Sequence, residues 1–216
     1  MDKEVLGCLW LGEQDTDYIL CDWDVDALPQ LFKKDEIRYE YNQWKNKWSE
    51  KSCTIFSAIG AASDLTNYKF SEAEIKEIDE MSYARWRTRW EWWYVQPAFK
   101  LVADWWNGNE KLVKKYWKLV YYRISKYDED IFEGAINKLY TVWGNCHPTS
   151  EYNIDRSDGM IDGTDFWKQT NWHAVNVICK EWQRSIKDSY YWRKYNIYWL
   201  KNKLSAITNY GTYFYL

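Results

Sequence analysis

Histidine is nearly absent. The chain has two, His147 and His173, and five cysteines, Cys8, Cys21, Cys53, Cys146 and Cys179, with no CxxC pair. A zinc site needs a cluster that these residues do not form. The odd cysteine count, the wide spacings and a length of 216 residues argue against a disulfide framework. A reducing compartment, cytoplasmic by default, is therefore expected. There is no run of about 18 apolar residues, so no membrane span is expected. The opening MDKEVLGCLW lacks a basic n-region followed by an apolar stretch, so no secretory signal is expected either. Lys+Arg 29 against Asp+Glu 32 leaves a net charge of -3, with no basic footprint for nucleic acid. With 3 prolines and 9 glycines, the chain shows no internal repeat and no low-complexity segment.

Aromatic residues are abundant: 17 Trp, 19 Tyr and 7 Phe make up 20% of the chain. Such side chains fill cores and leave a polar atom to satisfy. They can also form a stacking surface for sugars, bases or peptides. Because the tryptophans run from Trp10 to Trp199, they mark no single site. Hydrophobic residues at 46% and charged residues at 28% describe a folded globule rather than a disordered chain.

Residues 1–40 read as an extension and 41–216 as the folded domain, because the dense apolar pattern starts near Tyr41. Residues 53–65 read as a helix with Ser52 as its N-cap. Ile55, Phe56, Ala58, Ile59, Ala61, Ala62 and Leu65 surround it, and a helix apolar all round is buried all round. A second helix is expected from Ser71 to about Met81. Ser71 and Glu74 make its capping box, and Phe70 with Ile75 its hydrophobic staple. Residues 83–96 fit both helical spacing and alternation. Pro97 suits the first turn of a third helix ending near Asn107-Gly108. Residues 128–139 read as a further helix. Strand patterns occupy 118–124, 140–143, 173–179, 185–188, 195–199 and 212–215, and residues 144–171 read as loop. Helices first and antiparallel strands later indicate an α+β fold.

Cys53, His173 and Asp188 stand in this order along the chain, and their residue types suit thiol chemistry. A cysteine opening a helix meets the positive end of the macrodipole, which favours the thiolate, the nucleophilic form. A histidine on a neighbouring strand can take a proton and return it to a leaving group. An acid or an amide must orient that imidazole. Asp188 lies 15 residues after His173, a spacing that suits a hairpin. Cys146-His147 is the rival pair, but adjacent residues rarely face each other.

On these residues the chain resembles the papain-like cysteine peptidases. In size it is closer to the peptidase domains of bacteriocin-processing transporters than to the long lysosomal enzymes. The resemblance covers about 41–216. It is carried by the helix-opening Ser52-Cys53-Thr54-Ile55, by Trp172-His173-Ala174-Val175-Asn176-Val177-Ile178, and by Lys187-Asp188-Ser189-Tyr190. The loop 152–163 before His173 adds to it. The resemblance implies a papain-like α+β fold, with a central buried helix packed on a C-terminal antiparallel sheet. It implies Cys53 as nucleophile, His173 as general base and acid, and Asp188 as the group orienting His173. Gln43, or Asn46 in its place, would be the oxyanion donor beside the Cys53 N–H. It implies a peptide or protein substrate and no cofactor. KSCTIF lacks the glycines that usually crowd the family's cysteine. That lack, the distance from Gln43 to Cys53 and the aromatic excess support an alternative: a catalytically inactive papain-like binding or structural subunit of a larger assembly.

Three further signals are weak. Arg85, Arg87 and Arg89 alternate with Trp86 and Trp90, but at this net charge they read as a solvated or cation–π face. Asp155, Asp158, Asp162 and Asp165 do not have EF-hand spacing. The aromatics could serve a carbohydrate-binding module.

Overall fold

The structure is a computed structural model. It describes residues 8–9, 41–43, 52–85, 93–124, 141–146, 160–161, 173–180, 183–187, 189, 194–197 and 208–215. Side chains are described within 41–43, 52–84, 97–121, 174–176 and at 189. The helix expected over 128–139 lies outside these residues.

Helix α1, Cys53–Thr66, is the centre of the core. Cys53, Ile55, Ala58, Ile59 and Ala62 have no exposed surface, and Leu65 is half-buried. Each large apolar side chain taken from water contributes roughly 1.5–3 kcal/mol. The helix stops at Asn67, whose φ of 58° is left-handed and whose N–H donates to the Ser63 carbonyl at 2.8 Å. Its N-terminus differs from expectation. Ser52 makes no side-chain cap.

Helix α2, Glu72–Arg85, runs four residues beyond the expected end at Met81. Its capping box is formed as the sequence requires. The Ser71 N–H and hydroxyl each donate to Glu74 Oε2 at 2.7 Å, and the Glu74 N–H donates to Ser71 Oγ at 3.3 Å. Phe70 and Ile75 are both buried in the same apolar cluster. The Tyr68 hydroxyl donates to Glu74 Oε1 at 2.6 Å. Burial works against the charge on Glu74, but the hydrogen bonds from Tyr68 and Ser71 outweigh it and hold the carboxyl below its ordinary range. Burial, and then the bond to Glu74, push the Tyr68 hydroxyl above its ordinary range.

Helix α3, Val95–Gly108, ends where the Asn-Gly signal lies. The short α4, Glu110–Tyr116, was not expected. Asn109 caps it by accepting from the Lys111 and Leu112 N–H groups, and Lys114 and Lys115 face its negative end. Trp106 is fully buried among Tyr68, Phe70 and Tyr116, with ring centroids 5.5, 6.0 and 5.7 Å away. Its Nε1 donates to the Trp117 carbonyl at 3.0 Å. That bond helps hold Trp117, itself exposed, at a φ of 73°.

The strands are β1 Cys8–Leu9, β2 Trp93–Tyr94, β3 Val120–Ile124, β4 Thr141–Cys146, β5 Met160–Ile161, β6 His173–Lys180, β7 Gln183–Lys187, β8 Lys194–Ile197 and β9 Thr208–Tyr215. β1 and β2 pair in parallel, which ties residues 8–9 to the start of α3. The others form one sheet in the order β3-β9-β4-β6-β7-β8-β5. Its pairs are antiparallel except β5 with β8. β5 falls inside the stretch expected to be loop. α1 packs against α3 and against β6 and β4. Among the described residues no helix is long and apolar enough to cross a membrane.

Candidate active site

Cys53 is the first residue of α1. It is a thiol rather than half of a disulfide, and it has no exposed surface. The Ser52 carbonyl accepts the first helical hydrogen bond from the Phe56 N–H at 2.9 Å. Its hydroxyl donates instead to Asp79 Oδ1 at 2.6 Å. Ser52 has φ −104° and ψ 25°, not the extended backbone that an N-cap serine usually adopts. The expected cap is thus replaced by a tertiary contact to α2. Thr54, the next residue, is buried, and its hydroxyl has no hydrogen-bond partner among the described residues.

One turn into α1, the Ser57 hydroxyl donates to Asn176 Oδ1 at 2.5 Å, and both residues are buried. Asn176 lies in β6, three residues after His173, which opens that strand. The Cα partner of His173 is Cys146 of β4, and the Cα partner of Asn176 is Lys187 at the end of β7. Two residues past Lys187 comes Ser189. Its hydroxyl donates to Gln43 Oε1 at 2.8 Å, and its carbonyl accepts the Gln43 N–H at 2.9 Å. Gln43 is buried. With its oxygen bound to Ser189, the orientation of the Gln43 amide is fixed, and so is the end from which it donates.

These contacts join the segments that the sequence singled out. Helix α1 is bonded to the strand that begins at His173. That strand is paired with the one ending next to Asp188, and Ser189 on the far side of Asp188 holds Gln43. The side chain of His173, and Asp188, Asn46 and His147 altogether, lie outside the described residues. Cys146 is described only by its backbone, at the end of β4.

Ser189, Ser57, Asn176 and Asp79 were not expected at the site. Two of them left a trace in the sequence. Asn176 interrupts an apolar strand pattern, and a buried amide needs a partner. Ser189 directly follows the candidate acid. Asp79 left none, because a carboxylate on a helix among Glu77 and Glu80 reads as a solvated face.

Solved structures similar to this chain include those of cysteine proteases. Xylellain, a cysteine protease from Xylella fastidiosa, superposes with a TM-score of 0.62 at 13% identity, covering 98% of this chain and 96% of its own. Digestive procathepsin L2 proteinase from Tenebrio molitor larval midgut gives 0.61 at 14%, covering 99% and 79%. ProCathepsin B S9 from Trypanosoma congolense gives 0.59 at 10%, covering 97% and 86%. The fold is papain-like. No protein-family model and no curated protein matches the chain. None of these three similar structures is a transporter peptidase domain, the subtype that chain length suggested. A papain-like fold therefore exists here in a sequence whose likeness to these proteases is carried by backbone geometry rather than by residue identity.

Proposed function

We propose that the protein is a cysteine peptidase, or a related amide hydrolase, working through Cys53, His173 and Asp188. The observation that carries this reading is the position of Cys53. It opens a buried helix in a papain-like fold, and that helix is hydrogen-bonded to the strand that His173 begins. In this reading residues 41–216 form the peptidase unit, with a cleft between the helical part and the antiparallel sheet. Residues 1–40 are an extension.

The chemistry follows from the residue types. His173 removes the thiol proton, and the Cys53 sulfur attacks the carbonyl carbon of a peptide amide. The Gln43 amide and the Cys53 N–H donate to the oxygen that becomes negative. The C–N bond breaks as the imidazolium protonates the leaving amine, and a thioester remains on Cys53. Water, deprotonated by His173, attacks the thioester and releases the acid and the thiol. Asp188 keeps the imidazole oriented and stabilises its charged form. No cofactor enters any step. The buried thiol means that a substrate reaches Cys53 only after the atoms over it move aside.

The test is cleavage of a mixed peptide pool, read by mass spectrometry under reducing conditions. Wild type releases new termini, and Cys53→Ala releases none above background. Equal cleavage by the two proteins overturns the reading.

The complete burial of Cys53 favours a second reading, an inactive papain-like binding or structural subunit. It predicts no cleavage by wild type and co-purification in a larger assembly.

A further inference from the structure

Ser52 and Asp79 form a buried pair that takes no part in the hydrolysis proposed for Cys53. Ser52 is 0% exposed and Asp79 1%. The Asp79 carbonyl also accepts from the Ser82 hydroxyl at 2.5 Å, within α2. A serine preceding a helix ordinarily turns its oxygen inward and accepts an N–H of the second or third helical residue. Here that oxygen is held by Asp79 Oδ1, and the Ser52 side chain makes no cap bond to the first turn of α1. The N–H groups of that turn carry the positive end of the macrodipole. A capping oxygen would neutralise part of that field at the place where Cys53 sits.

We propose that Asp79 is a positioning residue for Cys53: it holds the Ser52 hydroxyl off the first turn of α1, so that the helix end acts on the Cys53 sulfur instead of on Ser52. The proposal rests on the reading of Cys53 as nucleophile.

The experiment is residue-mapped alkylation of Cys53 by iodoacetamide in the full-length chain, alongside kcat and KM on a peptide amide. Asp79→Ala frees the Ser52 hydroxyl, which caps the turn once the Ser52 backbone swings from ψ 25° to the extended range of an N-cap. The Cys53 rate and kcat then fall about tenfold, a size the helix dipole can supply, with KM unchanged. Ser52→Ala added to Asp79→Ala leaves no hydroxyl to cap and returns most of the lost rate. Asp79→Asn, which keeps an acceptor oxygen, stays within about threefold of wild type. Where Asp79→Ala unfolds, Asp79→Leu removes the acceptor while filling the space. A Cys53 rate indifferent to loss of the acceptor, or a double variant no faster than the single, overturns the proposal. A wild type that cleaves no peptide while alkylation follows this pattern counts against the peptidase reading alone.

Discussion

Ser189 and Gln43, 146 positions apart, are joined twice: hydroxyl to side-chain oxygen at 2.8 Å and carbonyl to backbone N–H at 2.9 Å. The clip locks the turn at residues 41–43 to the chain just beyond the β6–β7 hairpin. It also fixes the direction in which the Gln43 amide donates, the property an oxyanion donor needs. Ser189→Ala is therefore expected to lower kcat/KM about tenfold, since a misaimed donor loses part of the roughly 2.7–4 kcal/mol that one such donor is worth. Gln43→Ala should cost roughly 10²–10³ in kcat. Steady-state kinetics on one peptide amide check both, and a Gln43→Ala protein with full kcat removes Gln43 from the site.

The Ser57–Asn176 bond is a buried polar link between α1 and β6. Asn176→Ala strands a buried hydroxyl and should destabilise the chain by about 1–3 kcal/mol. Ser57→Ala should cost a similar amount, and the double variant less than the sum of the two. Urea midpoints of the four proteins test this. Additive losses would mean that the two groups do not share a bond.

Much of the helical part could be read from local chemistry. The capping box at Ser71 and Glu74, the all-apolar face of 53–65 and the Asn-Gly stop at 108 each depend on residues a few positions apart. What escaped is what depends on tertiary partners. Ser52 has the chemistry of an N-cap, and only the arrival of Asp79 from another helix redirects it. The seven-residue α4 was missed because its lysine-rich sequence shows too little apolar periodicity to distinguish a helix from a loop. Of the candidate site, the residue types and order of Cys53, His173 and Asp188 could be proposed from the sequence. The supporting bonds through Ser57, Asn176 and Ser189 span more than a hundred positions, a distance at which spacing carries no information.

Thr54 has a buried hydroxyl with no hydrogen-bond partner among the described residues. Burying such a group costs roughly 1–3 kcal/mol, and valine has nearly the same shape without the oxygen. Thr54→Val should raise stability by about 1 kcal/mol, measured as an increase in the urea midpoint at unchanged m-value. A clear loss of stability would mean that the hydroxyl is bonded in solution.

Glu74 gives the fold a defined acid sensitivity. Its folded carboxyl is held below the ordinary value of 4.5. Between the folded and ordinary values the unfolded chain binds more protons, so stability is present above about pH 4.5 and is lost as pH falls through the lower folded value. Glu74→Gln should be less stable than wild type near pH 6, and the difference should shrink toward pH 3. Urea midpoints across that range, compared between the two proteins, check the sign. A difference that grows on acidification would contradict it.

The central claim is that His173 activates the Cys53 sulfur. Iodoacetamide alkylation mapped to each of the five cysteines, in the wild type and in His173→Ala, tests it most directly. The account predicts that Cys53, reached through the same opening that admits substrate, slows about 100-fold or more without the imidazole, the scale of general-base assistance. Slow alkylation at Cys53 that is the same with and without His173 would contradict it and leave the papain-like fold without its proposed chemistry.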